Sequence, residues 1–358
     1  MERPFINRLR IQNYGCIKDA TFELSRLHAL VGPNDSGKST VLRALRTITT
    51  LADQPLGSLA HDEGARLTNA LRAGLSRGPT IVTSSVGDAV WEVAVQSNLT
   101  RTEQVDVGQQ RVAHQANIQL NQGTSVLRHD GLPGALVAAT RGSQLLRLEA
   151  DALRESSSLI PEGQPLQLLD TRGRGLPAIY DAIVTRDLPA YVAIGQQFTA
   201  LFPSVKGLSL KNLNQSSKAL GIQLLDGTSI GADFMSEGML YWLAYAATPY
   251  LQPTALLLVE EPENGLHPAR IREVVQVLRD LSKKTQVIMA THSPLVVNEL
   301  QPDEVTVVTR DAAAGTRLRP IKDTPHFEER SKVYALGELW LSYANGKDEA
   351  PLFSDEGR

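Results

Sequence analysis

A chain of 358 residues, 42% hydrophobic and 21% charged, has the make-up of an ordinary globular protein, one large domain or two modest ones. With 36 Lys and Arg against 39 Asp and Glu, the formal net charge of -3 excludes a protein coated in basic residues for nucleic acid, though not a local basic patch. A single cysteine, Cys16, excludes a disulfide framework and a multi-cysteine zinc site, and 5% aromatic residues argue against stacking platforms for single strands.

The opening residues, with Glu2, Arg3, Arg8 and Arg10, hold no apolar core of a signal peptide. Residues 5–31 read as three strands, from the alternation at Leu9, Ile11, Phe22 and Leu24 and the apolar run 27–31. The run breaks into Gly32-Pro33-Asn34, and a helix follows with Val41, Leu42, Leu45 and Ile48 on one face. From about 51 to 160 the character turns β-rich and antiparallel, with some helix. Residues 80–86 and 89–96 form a hairpin at Gly87-Asp88, and Asn121-Gln122-Gly123 turns between 111–120 and 125–129. No sustained heptads suggest a coiled-coil arm.

Helices are expected at 178–186, 190–201 and 236–247, and buried strands at 255–259, 286–290 and 304–309 around an amphipathic helix at 269–284. The apolar stretch 239–259 is interrupted by Pro249, Gln252 and Pro253, so it reads as buried helix, loop and strand rather than a membrane span. That makes the expected location cytoplasmic, with no membrane partner. The tail, 328–343, is expected to be helical and the last dozen residues disordered.

Four segments carry chemistry. Gly32-Pro33-Asn34-Asp35-Ser36-Gly37-Lys38-Ser39-Thr40 fits the phosphate-loop pattern GxxxxGK[ST], set between an apolar strand and an amphipathic helix. Backbone N–H groups of such a loop cradle phosphate at a helix N-terminus, Lys38 reaches the outer phosphates and Ser39 ligates magnesium. Leu256 to Glu263 is a buried strand ending in Glu260 and Glu261. One carboxylate there can hold hydrated magnesium and the other can orient a water, unless the pair merely solvates a turn. Ser236-Glu237-Gly238, 24 residues before Glu260, offers a second helix-start anion site or a simple N-cap. His292, 31 residues beyond Glu261, can bond a phosphate oxygen or serve structure alone. Tyr14 can stack on an adenine or sit in the core.

The fixed order of these segments, with Asn264-Gly265-Leu266-His267-Pro268 between the paired carboxylates and His292, resembles the ABC-type ATPase head: Walker A, signature, Walker B, D-loop and H-loop. More narrowly it resembles the RecF/SMC-like branch that holds the OLD nucleases and related bacterial defence ATPases. The segment 260–268, the opening Ile11-Gln12-Asn13-Tyr14 and Gly173-Arg174-Gly175-Leu176 carry that likeness. It implies an α/β fold: an ABC-ATPase-like head with a phosphate-loop parallel sheet, an antiparallel β-rich portion and an inserted helical/β lobe. The head is expected at 1–50 and 166–310, the lobe at 51–165, and a strand, helix and flexible tail at 311–358.

By the same resemblance, Gly32, Asn34, Asp35, Ser36, Gly37, Lys38, Ser39 and Thr40 bind ATP, and Ser39 and Glu260 hold Mg2+. Glu261 and His292 are catalytic, and Ser236 and Gly238 contact the ATP of a second copy in a head-to-tail dimer or larger homo-oligomer. Glu260 stands where many ABC proteins have Asp, and Glu237 and Met239 replace Gly and Gln of the LSGGQ form. The 66 residues after His292 leave no room for a TOPRIM domain, so the expected effector, a nuclease, is a separate protein. The seven scattered histidines offer no second metal cluster. DNA or RNA is a candidate trigger, since residues 1–50 carry +4 and the remainder -7, and the implied setting is anti-phage defence. The rival readings are a nucleotide-sensing scaffold that hydrolyses slowly without touching nucleic acid, and a transporter ATPase, against which the 195 residues between Thr40 and Ser236 argue.

Overall fold

The computed structural model describes residues 3–59, 61–311 and 315–344. The chain divides into two compact units. The first comprises 1–145, 254–262 and 282–358; the second comprises 146–253 and 263–281.

The first unit opens with β1 (Arg8–Tyr14), β2 (Ile17–Glu23) and β3 (Leu27–Val31), then α1 (Lys38–Asp53) and α2 (His61–Leu75). Next come β4 (Thr80–Val86), β5 (Ala89–Val95), β6 (Thr100–Val107), β7 (Gln110–Gln119), α3 (Gly134–Thr140) and β8 (Ser143–Leu146). The second unit holds α4 (Ala150–Arg154), β9 (Ser157–Ser158), α5 (Leu176–Arg186), α6 (Leu188–Leu201), β10 (Val205–Asn212), β11 (Ser217–Leu224), β12 (Ser229–Gly231) and α7 (Glu237–Ala247). The rest of the chain supplies β13 (Leu256–Glu260), α8 (Pro268–Ser282), β14 (Gln286–Thr291), α9 (Pro294–Asn298), β15 (Val305–Asp311), β16 (Gly315–Pro320), α10 (Phe327–Arg330) and α11 (Leu336–Ala344).

Two six-stranded sheets build the first unit. One is antiparallel, in the order β2-β1-β4-β5-β6-β7. The other runs β16-β15-β3-β14-β13-β8, with β15, β3, β14 and β13 parallel. Strands β3, β13 and β14 are buried along their whole length, as continuous apolar runs in a covered parallel sheet should be. Helix α1 packs on β13 and β14, and Val41, Leu42, Leu45 and Ile48, the stripe expected from its spacing, are buried.

The β-rich segment is not set apart from the N-terminal strands. Arg8–Gln12 of β1 pairs residue by residue with Ile81–Ser85 of β4, so residues 51–145 share a core with residues 1–50, and the units part at 145 rather than at 50 and 165. A buried polar knot fixes the far end of this sheet. Glu103 accepts from Arg101 Nε at 2.6 Å, Trp91 Nε1 at 3.2 Å, Ser125 Oγ at 2.5 Å and the Val126 N–H at 3.2 Å, and both charged side chains are fully buried. Segment 125–129, expected as a strand, is instead a single 3-10 turn over Val126–Arg128, because the Ser125 hydroxyl is tied into this knot and also accepts the Leu127 N–H.

Within the second unit, α5 and α6 pack on the antiparallel strands β10 and β11, and the Tyr180 hydroxyl donates to Leu243 O of α7 at 2.8 Å. The expected tail helix is two helices, α10 and α11, parted by residues 331–335. The last dozen residues lie outside the described residues.

Candidate functional site

Strand register builds the site. Val31, the last residue of β3, sits opposite Thr291, and Glu260 sits opposite Ala290, so the C-terminal ends of three parallel strands share one edge. Ligands collect at that edge in open α/β sheets. The loop after β3 bears the phosphate pattern, the residue after β14 is His292 and the residue after β13 is Glu261.

Two glycines make the loop. A side-chain carbon at Gly32 would lie 2.1 Å from the Val308 carbonyl of β15, and Gly37 holds φ +110 with Thr316 against it. Gly37 is also the N-cap of α1 and has no side chain to cap with, so the first N–H groups of the helix are left for an anion. Lys38 Nζ donates to the Gly32 and Pro33 carbonyls, both at 2.7 Å, which folds the ammonium back over the loop. Thr316 Oγ1 donates to Ser36 O at 2.9 Å and Arg310 Nη1 to Asp35 O at 3.4 Å, so β15 and β16 brace the loop from one side.

The result is a cavity of about 280 Å³. Among the predicted residues, Asn34, Asp35, Gly37, Lys38, Ser39, Thr40, Glu260 and Glu261 line it, while Gly32 and Ser36 sit behind its wall. Ser36 is buried and its hydroxyl makes no hydrogen bond among the described residues. Glu260 is 9% exposed, and Glu261 stands half-exposed beside His292, with Nδ1 3.7 Å from Oε1.

Glu261 adopts φ 48, the left-handed region, and its N–H donates to Ala290 O at 2.8 Å. A non-glycine residue held there stores strain, a common mark of functional positions. Magnesium fits this donor set. It favours one or two carboxylates and a hydroxyl, with phosphate and water completing the shell. Among the described residues, no group of three or more His, Cys, Asp and Glu side chains could hold a metal by itself.

Four lining residues were not anticipated: Cys16, Arg43, Ala290 and Arg310. Arg43 lies one helical turn after Ser39, a spacing that could have revealed it. Cys16, in the β1–β2 turn, and Arg310, at the end of β15, arrive through strand order alone. Tyr14 is a core residue. It is fully buried, its hydroxyl is 2.8 Å from Thr47 Oγ1, and burial holds its phenol well above the usual range.

Ser236 and Gly238 belong to the second unit. Ser236 Oγ accepts the Met239 N–H at 3.4 Å, so the serine caps α7, and Glu237 sits in the first turn, where a carboxylate suits the helix dipole. A side-chain carbon at Gly238 would lie 3.3 Å from the Gly265 carbonyl, so the start of α7 and the 264–268 segment pack closely within this unit.

Parts of the chain are similar to known proteins. Residues 5–88 match a family model described as "AAA ATPase domain", and residues 179–298 one described as "AAA domain, putative AbiEii toxin, Type IV TA system". An OLD nuclease of Thermus scotoductus is 22% identical over 342 residues, covering 86% of this chain and 62% of that protein. ABC transporter A family member 2 of Arabidopsis thaliana is 31% identical over 101 residues, 28% of this chain and 10% of that one. The chain therefore spans less than two thirds of either relative.

An SMC head bound to the C-winged helix domain of ScpA superposes with a TM-score of 0.56 at 17% identity, over 88% of this chain and 97% of that one. A Pyrococcus furiosus Smc head with an extended coiled coil, bound to the C-terminal domain of ScpA, gives 0.55 at 14%, over 92% and 100%. The fold is SMC-head-like, with mixed parallel and antiparallel sheets, and the likenesses together support an ABC/SMC-like, OLD-related ATPase. No helix among the described residues is long and apolar enough to cross a membrane.

Proposed function

Taking an OLD-related ATPase with an SMC-head fold as the premise, we propose that the chain binds and hydrolyses ATP with Mg2+ and uses the cycle to pair with a second copy and switch a separate effector. The observation that carries this reading is the shared edge of β3, β13 and β14, which gathers Lys38, Glu260, Glu261 and His292 about one cavity. Lys38 leaves the two loop carbonyls for β- and γ-phosphate oxygens, a favourable exchange because an anion replaces neutral acceptors. Ser39 and Glu260 would hold Mg2+, which would neutralise phosphate charge there. Glu261, half-exposed, orients the attacking water, and His292 beside it bonds the γ-phosphate.

In the dimer, Ser236 and Gly238 face the γ-phosphate bound by the other copy. The resemblance to an OLD nuclease favours a nuclease as the effector, nucleic acid as the trigger and defence against phage as the setting. Sedimentation of Glu261→Gln with and without Mg-ATP tests the switch. The variant should bind ATP without turnover and sediment as a dimer only with ATP, and adding Ser236→Arg should return it to monomer while ATP stays bound. A Glu261→Gln chain that stays monomeric with ATP, or pairing that survives Ser236→Arg, would overturn the composite site.

A further inference from the structure

The sheet order gives the nucleotide pocket two unlike flanks. Glu260, Glu261 and His292 stand at the ends of β13 and β14 on one side of β3. Arg310 stands near the end of β15 on the other side, and Cys16 in the β1–β2 turn reaches the same flank through Thr316 of β16, Sγ to Oγ1 at 3.4 Å. Glu260, Glu261, Arg310 and Cys16 line the one cavity, with the phosphate loop between the flanks. A triphosphate whose outer end lies with Mg2+ against the carboxylates must run its inner end the other way, since like charges exclude its remaining phosphate from the carboxylate flank.

We propose that Arg310 is a nucleotide-positioning residue that clamps the phosphate nearest the nucleoside, acting in cis from β15 and not from a second copy. The inference rests on the reading that loop 32–40 takes ATP, and it adds the orientation of the nucleotide. Arg310 is exposed at the cavity wall and already donates one N–H to Asp35 O at 3.4 Å. A planar guanidinium presents five donors, so one edge can brace the loop while another meets phosphate oxygens. Its charge also offsets the carboxylates of the opposite flank, which would otherwise repel the polyanion.

The clamp has a signature that an arginine acting on the γ-phosphate lacks. ADP and ATP both carry the inner phosphate, so Arg310→Met should weaken both by the same factor, about 10–100-fold for a lost charge-assisted contact. The KM for ATP should rise by that factor while kcat stays within about threefold, as for lost uniform binding. Arg310→Lys should recover part of the affinity, since it keeps the charge but not the fork.

The test is titration of the full chain and both variants with fluorescent ADP and ATP in Mg2+, together with steady-state phosphate release. Equal loss for the two nucleotides with kcat kept supports the clamp. Unchanged affinity in Arg310→Met, loss for ATP alone, or a kcat collapse at unchanged KM overturns it. A lower melting temperature with nucleotide affinity unchanged would also overturn it, since that is what a purely structural brace gives. If the wild-type chain bound neither nucleotide, the ATPase reading itself would fail, a result distinct from all of these.

Discussion

Glu261 offers a perturbation in which activity should fall far while stability barely moves. Its backbone sits at φ 48, which costs a side-chain-bearing residue about 1–2 kcal/mol. Replacement by glycine removes that strain and adds about 0.5–1 kcal/mol of chain entropy to the unfolded state. The side chain is 48% exposed and lies 3.7 Å from His292 Nδ1, so its loss forfeits about 0–1 kcal/mol. These opposed contributions nearly cancel, leaving Glu261→Gly between about 1 kcal/mol less stable and about 1.5 kcal/mol more stable than wild type. Turnover should meanwhile fall about 10²–10⁴-fold, the usual range for removing a positioned general base. Urea unfolding of wild type and variant in one buffer, with phosphate release on the same preparations, reads both quantities. A variant destabilised by more than about 1 kcal/mol would show that Glu261 is held for structure, and one that turned over at the wild-type rate would show that another group directs the water.

The buried pair in the β-rich sheet should behave unlike an exposed one. Glu103→Gln strands the Arg101 guanidinium in the core and should cost about 3–5 kcal/mol in urea unfolding, whereas Asp19→Asn, breaking the 2.8 Å surface pair with Arg10, should cost less than about 1 kcal/mol; equal effects would contradict the knot. His28 lies buried in β3, its Nε2 2.9 Å from Thr306 Oγ1, and burial pushes its imidazole down to about 3. The unfolded chain, titrating near 6.5, binds more protons than the folded one between those values, so stability from His28 is complete above pH 6.5 and is lost as pH falls toward 3, by about 1.4 kcal/mol per pH unit. Unfolding midpoints from pH 7 to pH 4 should show that slope in wild type and its loss in His28→Gln, and parallel curves would contradict the burial effect.

Much of the nucleotide edge was legible because its signals are local. An apolar run such as Leu256–Val259 can only be a covered strand once Glu260-Glu261-Pro262 ends it, and Gly32 and Gly37 lie where backbone geometry demands them. What escaped notice depends on partners far along the chain. The pairing of β1 with β4 leaves no mark in either strand, so the β-rich segment read as an insertion. Strands β10 and β11 were not anticipated because Lys206-Gly207 and the polar residues 213–216 break their alternation, although Leu208, Leu210, Leu220 and Ile222 keep it in part. Arg310 looks like any strand-end arginine until β15 is seen beside β3. The 125–129 segment has strand composition, and a buried carboxylate 22 residues away decides against it.

The central claim is that the loop 32–40 and the ends of β13 and β14 form an ATP-hydrolysing site. Phosphate release by the purified chain in Mg-ATP, run beside Lys38→Ala, tests it most directly. Lys38→Ala removes the ammonium that now bridges the Gly32 and Pro33 carbonyls and should lose both nucleotide binding and turnover. Sustained release by wild type that disappears in Lys38→Ala is the predicted result. Release at the same rate from both, or none from wild type with ATP and Mg2+ in excess, would contradict the account.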